Sequence, residues 1–142
     1  QHTMNVFEPV PEMIAVIEGK GLISINRGPL AMGLLTGKFT ADKAVGARDV
    51  RGAALDWMVY FKDGRMAPEF AARLDAVRDL LTSGSRTLTQ GALAWLWARS
   101  PRTLPIPGFR TVAQVEENAG ALEKGPLPAD VMAGIDAALD RF

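Results

Sequence analysis

The spacing of apolar residues switches between two periods along the chain, and it predicts strands that alternate with helices. A β-like start over Gln1 to Phe7 leads to Pro11, which suits a first helical turn, and Gly19 is a natural stop for that helix. The run Gly21 to Asn26 alternates as a strand does, and Gly28-Pro29 ends it. The chain therefore opens as strand, helix, strand.

The middle of the chain divides into an irregular loop and two helices. Residues 30–65 are rich in glycine and charge and are longer than a plain connection, which is typical of a functional loop or a lid. A helical stripe that runs from Phe70 to Leu81 predicts a surface helix. Thr87 and Gln90 have capping-box spacing before an apolar run that ends at Ser100-Pro101, so a more deeply buried helix should follow.

The last third adds one strand and two helices. Thr103 to Ile106 is a strand candidate, Thr111 and Gln114 are spaced as a second capping box, and Pro128 to Leu139 is the last helix. Strands that alternate with helices at this spacing favour parallel βα units. Only about three strands fit, and three parallel strands leave open edges that a closed barrel lacks. We therefore predict an α/β fold that is a piece of a (β/α)8 TIM barrel.

Composition limits the classes of function. The 142 residues are 48% hydrophobic, and 16 basic residues balance 16 acidic ones, so no global field favours nucleic acid or an anionic membrane. Any anion site must be local. There is no cysteine, which excludes a disulfide framework and fits a reducing compartment, so we expect a cytoplasmic protein. Gln1 to Pro11 lacks the basic start and the long apolar stretch of a signal peptide, and the chain does not begin with Met, so we expect it to be part of a larger gene product.

The first candidate anion site follows the second predicted strand. Gly33-Leu-Leu-Thr-Gly37-Lys38 looks like a phosphate loop, but only three residues separate its glycines, and Phe39 stands where a magnesium-binding Ser or Thr is needed. Two glycines and a lysine after a strand still suit an anion that backbone N–H groups approach. A plain loop and an anion site remain equally open here.

The second candidate site lies where a strand ends in Pro107-Gly108 and a helix begins at Thr111. A helix N-terminus exposes unpaired N–H groups, Gly108 allows close approach, and Arg110 offers a fork for phosphate. Gln114, Glu117 and Asn118 follow on neighbouring turns of this helix. The alternative is that Thr111 and Gln114 only cap the helix and Arg110 is solvated.

No residues form a self-sufficient catalytic set. His2 is the only histidine and has no cysteine or carboxylate cluster to join it, so we predict neither a metal site nor a catalytic role for it. No serine has the context of a nucleophile elbow.

The two sites, taken in order with the βα pattern, resemble the aldo-keto reductases over essentially the whole chain. Gly28 to Lys38 is similar to the Gly-rich loop after that family's seventh strand. Ile106-Pro-Gly-Phe-Arg110, with the polar residues that follow, resembles the family's cofactor clamp after the eighth strand. Thr87 to Ser100 resembles the helix between them. The resemblance implies that residues 1–142 are the C-terminal part of one barrel domain that binds NADP(H).

The resemblance also implies individual roles toward that cofactor. Gln1 would bond the nicotinamide carboxamide, and Arg27 stands where the family usually has a ring-stacking aromatic. A guanidinium can lie on that ring but would disfavour its cationic, oxidised form. Gly28 replaces the usual serine and removes a hydroxyl contact. Three further groups are implied: Pro29, Leu30, Ala31 and Gly33 along the pyrophosphate, Lys38 and Arg48 toward its charge, and Gly108, Arg110, Gln114, Glu117 and Asn118 at the adenosine end, with Phe109 as an apolar wall.

The family's catalytic Asp, Tyr, Lys and His lie on earlier parts of the barrel, and none of them maps to this chain. The resemblance therefore implies an oxidoreductase that reduces aldehydes or ketones with NADP(H), in which this chain supplies the cofactor-binding half. Its expected partners are a small carbonyl substrate and either the missing N-terminal half of the barrel or a second copy, but neither nucleic acid nor a membrane. A redox-sensing subunit similar to the potassium-channel β-subunits is the alternative, and a free-standing half-barrel that self-associates is a third hypothesis.

Overall fold

A small parallel sheet carries the fold, which we describe from a computed structural model for residues 1–40, 42–53 and 55–140. The strands are β1 (His2–Thr3), β2 (Ser24–Arg27), β3 (Phe61–Lys62), β4 (Arg65–Met66) and β5 (Thr103–Pro105). The α-helices are α1 (Pro11–Gly19), α2 (Pro68–Leu81), α3 (Leu88–Arg99), α4 (Val112–Lys124) and α5 (Ala129–Leu139). Short 3₁₀ segments cover Ala31–Thr36 and Val50–Gly52.

The sheet has the order β1-β2-β5, and both of its strand pairs are parallel. Helix α1 joins β1 to β2, and the long segment that contains α2 and α3 joins β2 to β5. These are the parallel βα units that the sequence predicted, and the α/β class is confirmed. Strand β1 is shorter than the predicted stretch from Gln1 to Phe7, because the chain turns at Val6 and Phe7, where the Asn5 side chain accepts a hydrogen bond from the N–H of Phe7 at 2.9 Å.

The two faces of the sheet have different surroundings. Ser24 and Asn26 point to the buried face, where the Asn26 amide donates to the Ser24 hydroxyl at 2.8 Å and His2 Nε2 lies 2.7 Å from the same hydroxyl. On the other face Ile25 and Leu104 are register partners and remain 37% and 52% exposed. Apolar residues at the centre of a parallel sheet are normally covered by other parts of the protein. This exposed face is therefore suited to packing against additional protein.

Helix α3 is the most deeply buried helix of the described chain and crosses α2 closely. The Thr87 hydroxyl accepts from the Gln90 N–H while the Gln90 side chain accepts from the Thr87 N–H, so the predicted capping box is confirmed. A Cβ built on Gly91 would lie 1.9 Å from the Leu81 carbonyl oxygen. Only glycine therefore permits this approach of the two helices. Trp95 is fully buried in the same helix and is a packing residue.

The second predicted capping box is only half formed. The Thr111 hydroxyl accepts from the Gln114 N–H at 3.3 Å, as predicted. The Gln114 side chain, however, accepts from the N–H of Arg110 at 2.7 Å and not from that of Thr111. The extended backbone of Thr111 brings the preceding N–H within reach of the glutamine. This hydrogen bond fixes the backbone of Arg110 at the start of α4.

The loop over residues 30–65 contains a β-hairpin that the sequence prediction missed. Strands β3 and β4 are antiparallel, and Asp63-Gly64 joins them with φ of 50° and 72°. Positive φ at both central residues is what a tight type I′ turn requires, and Asp-Gly is a preferred pair for it. The hairpin packs Phe61 edge-on against Phe39, with ring centroids 5.1 Å apart.

Among the described helices none combines the length and the apolar character that crossing a membrane requires.

Candidate cofactor-binding site

One cleft of about 520 Å³ lies beyond the carboxyl ends of β2 and β5. Parallel strands bring the loops that follow them to the same edge of the sheet, so the two candidate anion sites meet here. The first loop follows Arg27 and the second follows Pro105. Nine of the residues proposed from the sequence line this cleft: Gly28, Pro29, Leu30, Gly33, Lys38, Gly108, Phe109, Arg110 and Gln114.

The first loop makes a left-handed turn at the cleft. Ala31, Met32 and Gly33 have φ of 47°, 55° and 91°. For a non-glycine residue this conformation costs about 1–2 kcal/mol, and such strain concentrates at functional sites. Hydrogen bonds hold the turn, because the Gly33 N–H donates to the Leu30 carbonyl at 2.8 Å and the Thr36 hydroxyl donates to the Gly33 carbonyl at 2.7 Å.

Arg51 fastens a more distant part of the loop to this turn. Its Nε donates to the Met32 carbonyl at 2.6 Å, and its Nη1 donates to both carboxylate oxygens of Asp49 at 2.8 and 2.9 Å. The guanidinium lies 4.8 Å from the centre of the Phe39 ring. Both Asp49 and Arg51 line the cleft. Hydrogen bonds, an ion pair and an aromatic face therefore fix the position of Arg51.

The cleft concentrates positive charge although the whole chain has none in excess. Lys38, Lys43, Arg51 and Arg110 line it, with Asp49 as the one carboxylate among the lining residues. The Arg51 backbone N–H that donates to Asp49 lowers the pKa of this carboxyl, and the guanidinium groups of Arg51 and Arg110 act in the same direction against its partial burial. Asp49 is therefore ionised at neutral pH and leaves a surplus of cations for an anionic ligand.

A smaller cavity of about 170 Å³ lies beside the cleft and shares part of its wall. Glu117 and Asn118 line it together with Gln114 and Thr89. The Gln90 side chain donates to the backbone carbonyl of Glu117 at 3.3 Å, which fastens this turn of α4 to α3. The polar residues that the sequence assigned to one ligand region thus share one cavity wall.

Four residues proposed from the sequence lie elsewhere. Gln1, Arg27, Ala31 and Arg48 are not among the residues that line either cavity. The Arg27 Nε donates to the Thr3 hydroxyl at 3.1 Å on the exposed face of the sheet, and Ala31 is fully buried. The loop guanidinium at the cleft belongs to Arg51, three residues beyond the proposed Arg48.

The sequence analysis missed Asp49 and Arg51, although their spacing contained a local signal. The Asp49 side chain accepts from the N–H of Arg51 at 3.0 Å and caps the short 3₁₀ segment that begins at Val50. An Asp that bonds the backbone two residues ahead is a common turn former. The turn was predictable, but its contact with Met32, 19 residues away, was not.

Residues 1–140 match the model of the Aldo/keto reductase family.

The chain belongs to the aldo-keto reductase family.

Two relatives and one solved structure show how much of an aldo-keto reductase the chain represents. It is 30% identical over 112 residues to a chloroplastic pyridoxal reductase of Arabidopsis thaliana and covers 27% of that protein. It is 31% identical over 97 residues to an aldo-keto reductase of Schizosaccharomyces pombe named for NADP(+), and covers 26% of it. These alignments include 78% and 67% of the chain.

The solved structure of a glycerol dehydrogenase from Gluconobacter oxydans superposes with a TM-score of 0.77 at 22% identity. That match includes 98% of the chain and 41% of the dehydrogenase. The fold is therefore a portion of the (β/α)8 barrel of the aldo-keto reductases, and the chain spans less than half the length of these relatives.

The cleft has the donor set that a phosphate-bearing dinucleotide needs. Its cationic side chains and the N-terminus of α4 can replace the water around phosphate groups. Gly108 leaves open space, since no atom lies within 4 Å of the position that a Cβ would take there. Within the described residues no three His, Asp or Glu side chains are grouped closely enough to hold a metal ion.

Proposed function

We propose that this chain is the NADP(H)-binding part of an oxidoreductase that reduces aldehydes or ketones to alcohols. The observation that carries the proposal is the joining of two separate anion sites in one cleft. The left-handed turn at Met32 and Gly33 forms one wall, and Arg110 at the start of α4 forms the other. A dinucleotide has a pyrophosphate and a second charged end, so it can use both walls at once.

The chain's own residues bind and orient the cofactor but do not protonate the substrate. NADPH supplies hydride when it is bound, and the carbonyl oxygen also needs a proton donor. Neither a tyrosine nor a histidine is among the residues that line the cleft. Tyr60, the only tyrosine, accepts from the Asn5 amide at 2.9 Å and donates to the Glu8 carboxylate. We therefore assign the proton donor to the remaining part of the barrel.

The preference for NADP over NAD rests on charge at the adenosine end. A 2′-phosphate needs cationic or N–H donors, and Arg110 and the N-terminus of α4 provide both kinds. An NAD site would instead favour an acidic residue on the ribose hydroxyls. The Schizosaccharomyces pombe relative is named for NADP(+), and the name of the Arabidopsis relative, pyridoxal reductase, supports a carbonyl substrate class.

The full-length gene product that contains this chain provides the test. NADPH is titrated by its fluorescence, and oxidation of NADPH is then followed with and without an aldehyde such as pyridoxal. We expect saturable NADPH binding and aldehyde-dependent oxidation. Tight binding without turnover would support the redox-sensing subunit instead, and absence of NADPH binding would refute both functions.

A further inference from the structure

Thr89 has a buried hydroxyl with no hydrogen-bond partner among the described residues. It lies in the first turn of α3, and the residue is 2% exposed. Thr103, also buried, shows the usual arrangement, because its hydroxyl lies 3.0 Å from the Leu96 carbonyl and 2.8 Å from the Ser100 carbonyl. Buried hydroxyls without a partner are rare in folded proteins, and each one calls for an explanation.

The location of Thr89 provides an explanation. It lines the smaller cavity, opposite the face of α4 that carries Glu117 and Asn118. A threonine in a helix divides between two χ1 rotamers, so rotation about one bond can turn its hydroxyl toward a group in that cavity. A polar atom of a ligand there would give the hydroxyl the partner that the protein does not provide.

The cavity suits the edge of a base better than a phosphate. Its wall combines the Glu117 carboxylate, the Asn118 amide and the Thr89 hydroxyl with a single cation, Lys38, which it shares with the cleft, whereas Arg51, Lys43 and Arg110 line only the larger cleft. A carboxylate repels phosphate, but it accepts hydrogen bonds from the amino edge of a purine. Amide and hydroxyl groups can serve both the donors and the acceptors of such an edge.

We propose that Thr89 is a ligand-binding residue for the purine base of the dinucleotide and that its hydroxyl hydrogen-bonds the base when the cofactor is bound. The assignment rests on the proposed NADP(H)-binding function. It adds a contact from α3 to those that α4 supplies, so the base is held between two helices.

Three variants of the full-length protein test this assignment by NADPH fluorescence titration and thermal unfolding without cofactor. Thr89→Val keeps the shape and removes the hydroxyl, and it should weaken NADPH binding about five- to tenfold. It should leave the unfolding temperature unchanged or raise it, because no internal hydrogen bond is lost. Thr89→Ser should retain NADPH affinity within about twofold. Thr103→Val is the matched control, and it should lower the unfolding temperature without changing NADPH affinity.

Adenosine 2′,5′-bisphosphate, which has the adenine end without nicotinamide, locates the contact by calorimetry. Thr89→Val should weaken this probe by the same factor as NADPH. The assignment is overturned if Thr89→Val binds NADPH like the wild type, if only NADPH and not the bisphosphate is weakened, or if the variant unfolds as early as Thr103→Val. A wild-type protein that binds neither probe would refute the proposed function itself, and the assignment with it.

Discussion

Arg51 donates a 2.6 Å hydrogen bond to the carbonyl of Met32, a residue that the loop holds in a left-handed conformation. The same guanidinium is paired with Asp49 and lies over Phe39. One side chain thus stabilises the strained turn and places a positive charge in the cleft.

Replacing Arg51 by Ala in the full-length protein should weaken NADPH binding about ten- to a hundredfold, since a charge-assisted contact is worth about 1.5 to 3 kcal/mol. Arg51→Lys should recover only part of the affinity, because lysine cannot bond Met32 and Asp49 as a planar fork does. Fluorescence titration measures both variants. Arg102→Ala is the control. Arg102 also donates to a backbone carbonyl, that of Gly21, but both residues precede their strands and so lie at the end of the sheet opposite the cleft. Equal losses in the Arg51 and Arg102 variants would contradict a specific role.

Asp49→Asn keeps an acceptor for the Arg51 N–H but removes the carboxylate charge. The pH dependence of stability in this variant therefore tests the ion pair between Asp49 and Arg51. The lowered pKa of Asp49, below its usual 3.8, means that the folded protein binds this proton more weakly than the unfolded chain. The charge therefore stabilises the fold fully above pH 3.8, and the contribution is lost as the pH falls through the lowered pKa.

Urea unfolding should show the wild-type protein about 0.5–1 kcal/mol more stable than Asp49→Asn at neutral pH, because the pair is partly exposed. The difference should shrink as the pH falls below 3.8 and through the lowered pKa of Asp49. A difference that stays constant over this range would show that the carboxylate charge contributes nothing.

Arg110→Ala should separate the two nicotinamide cofactors. Loss of the guanidinium removes a charge-assisted contact to the 2′-phosphate and should weaken NADPH about ten- to a hundredfold while leaving NADH nearly unchanged. Titrating both cofactors against the wild-type and variant proteins measures this. If NADH is weakened as much as NADPH, Arg110 does not recognise the 2′-phosphate.

The 142-residue chain expressed alone should show no aldehyde reductase activity and should be poorly folded or self-associated. Neither a tyrosine nor a histidine lines its cleft, and Ile25 and Leu104 expose an apolar sheet face between open parallel edges. Sedimentation measures association, and NADPH oxidation with added aldehyde measures activity. A compact monomer that unfolds cooperatively would contradict the expectation about folding and association, and aldehyde-dependent oxidation that persists through purification would contradict the expected absence of activity.

The sequence by itself determined the order of the helices and of the three parallel strands, and it indicated the two candidate anion-binding segments. Helix α3 begins where Thr87 and Gln90 predicted it, because a capping box uses contacts only three residues apart. The two candidate segments were recognisable because their residues directly follow predicted strands. Glycine, proline and lysine follow β2, and Gly108 and Arg110 follow β5. Features of this kind depend only on residues that are close together in the sequence, so the spacing of those residues is enough to predict them.

Only the tertiary structure decided which loop residues reach the cleft. Arg51, and not Arg48, contacts the turn at Met32, because the 3₁₀ segment capped by Asp49 directs it there and Phe39 supports it. The orphan hydroxyl of Thr89 is likewise visible only once α3 packs against α4 and leaves a cavity between them. Contacts between residues far apart in the chain form only when packing closes the loop between them. The spacing of residues along the sequence does not predict that packing.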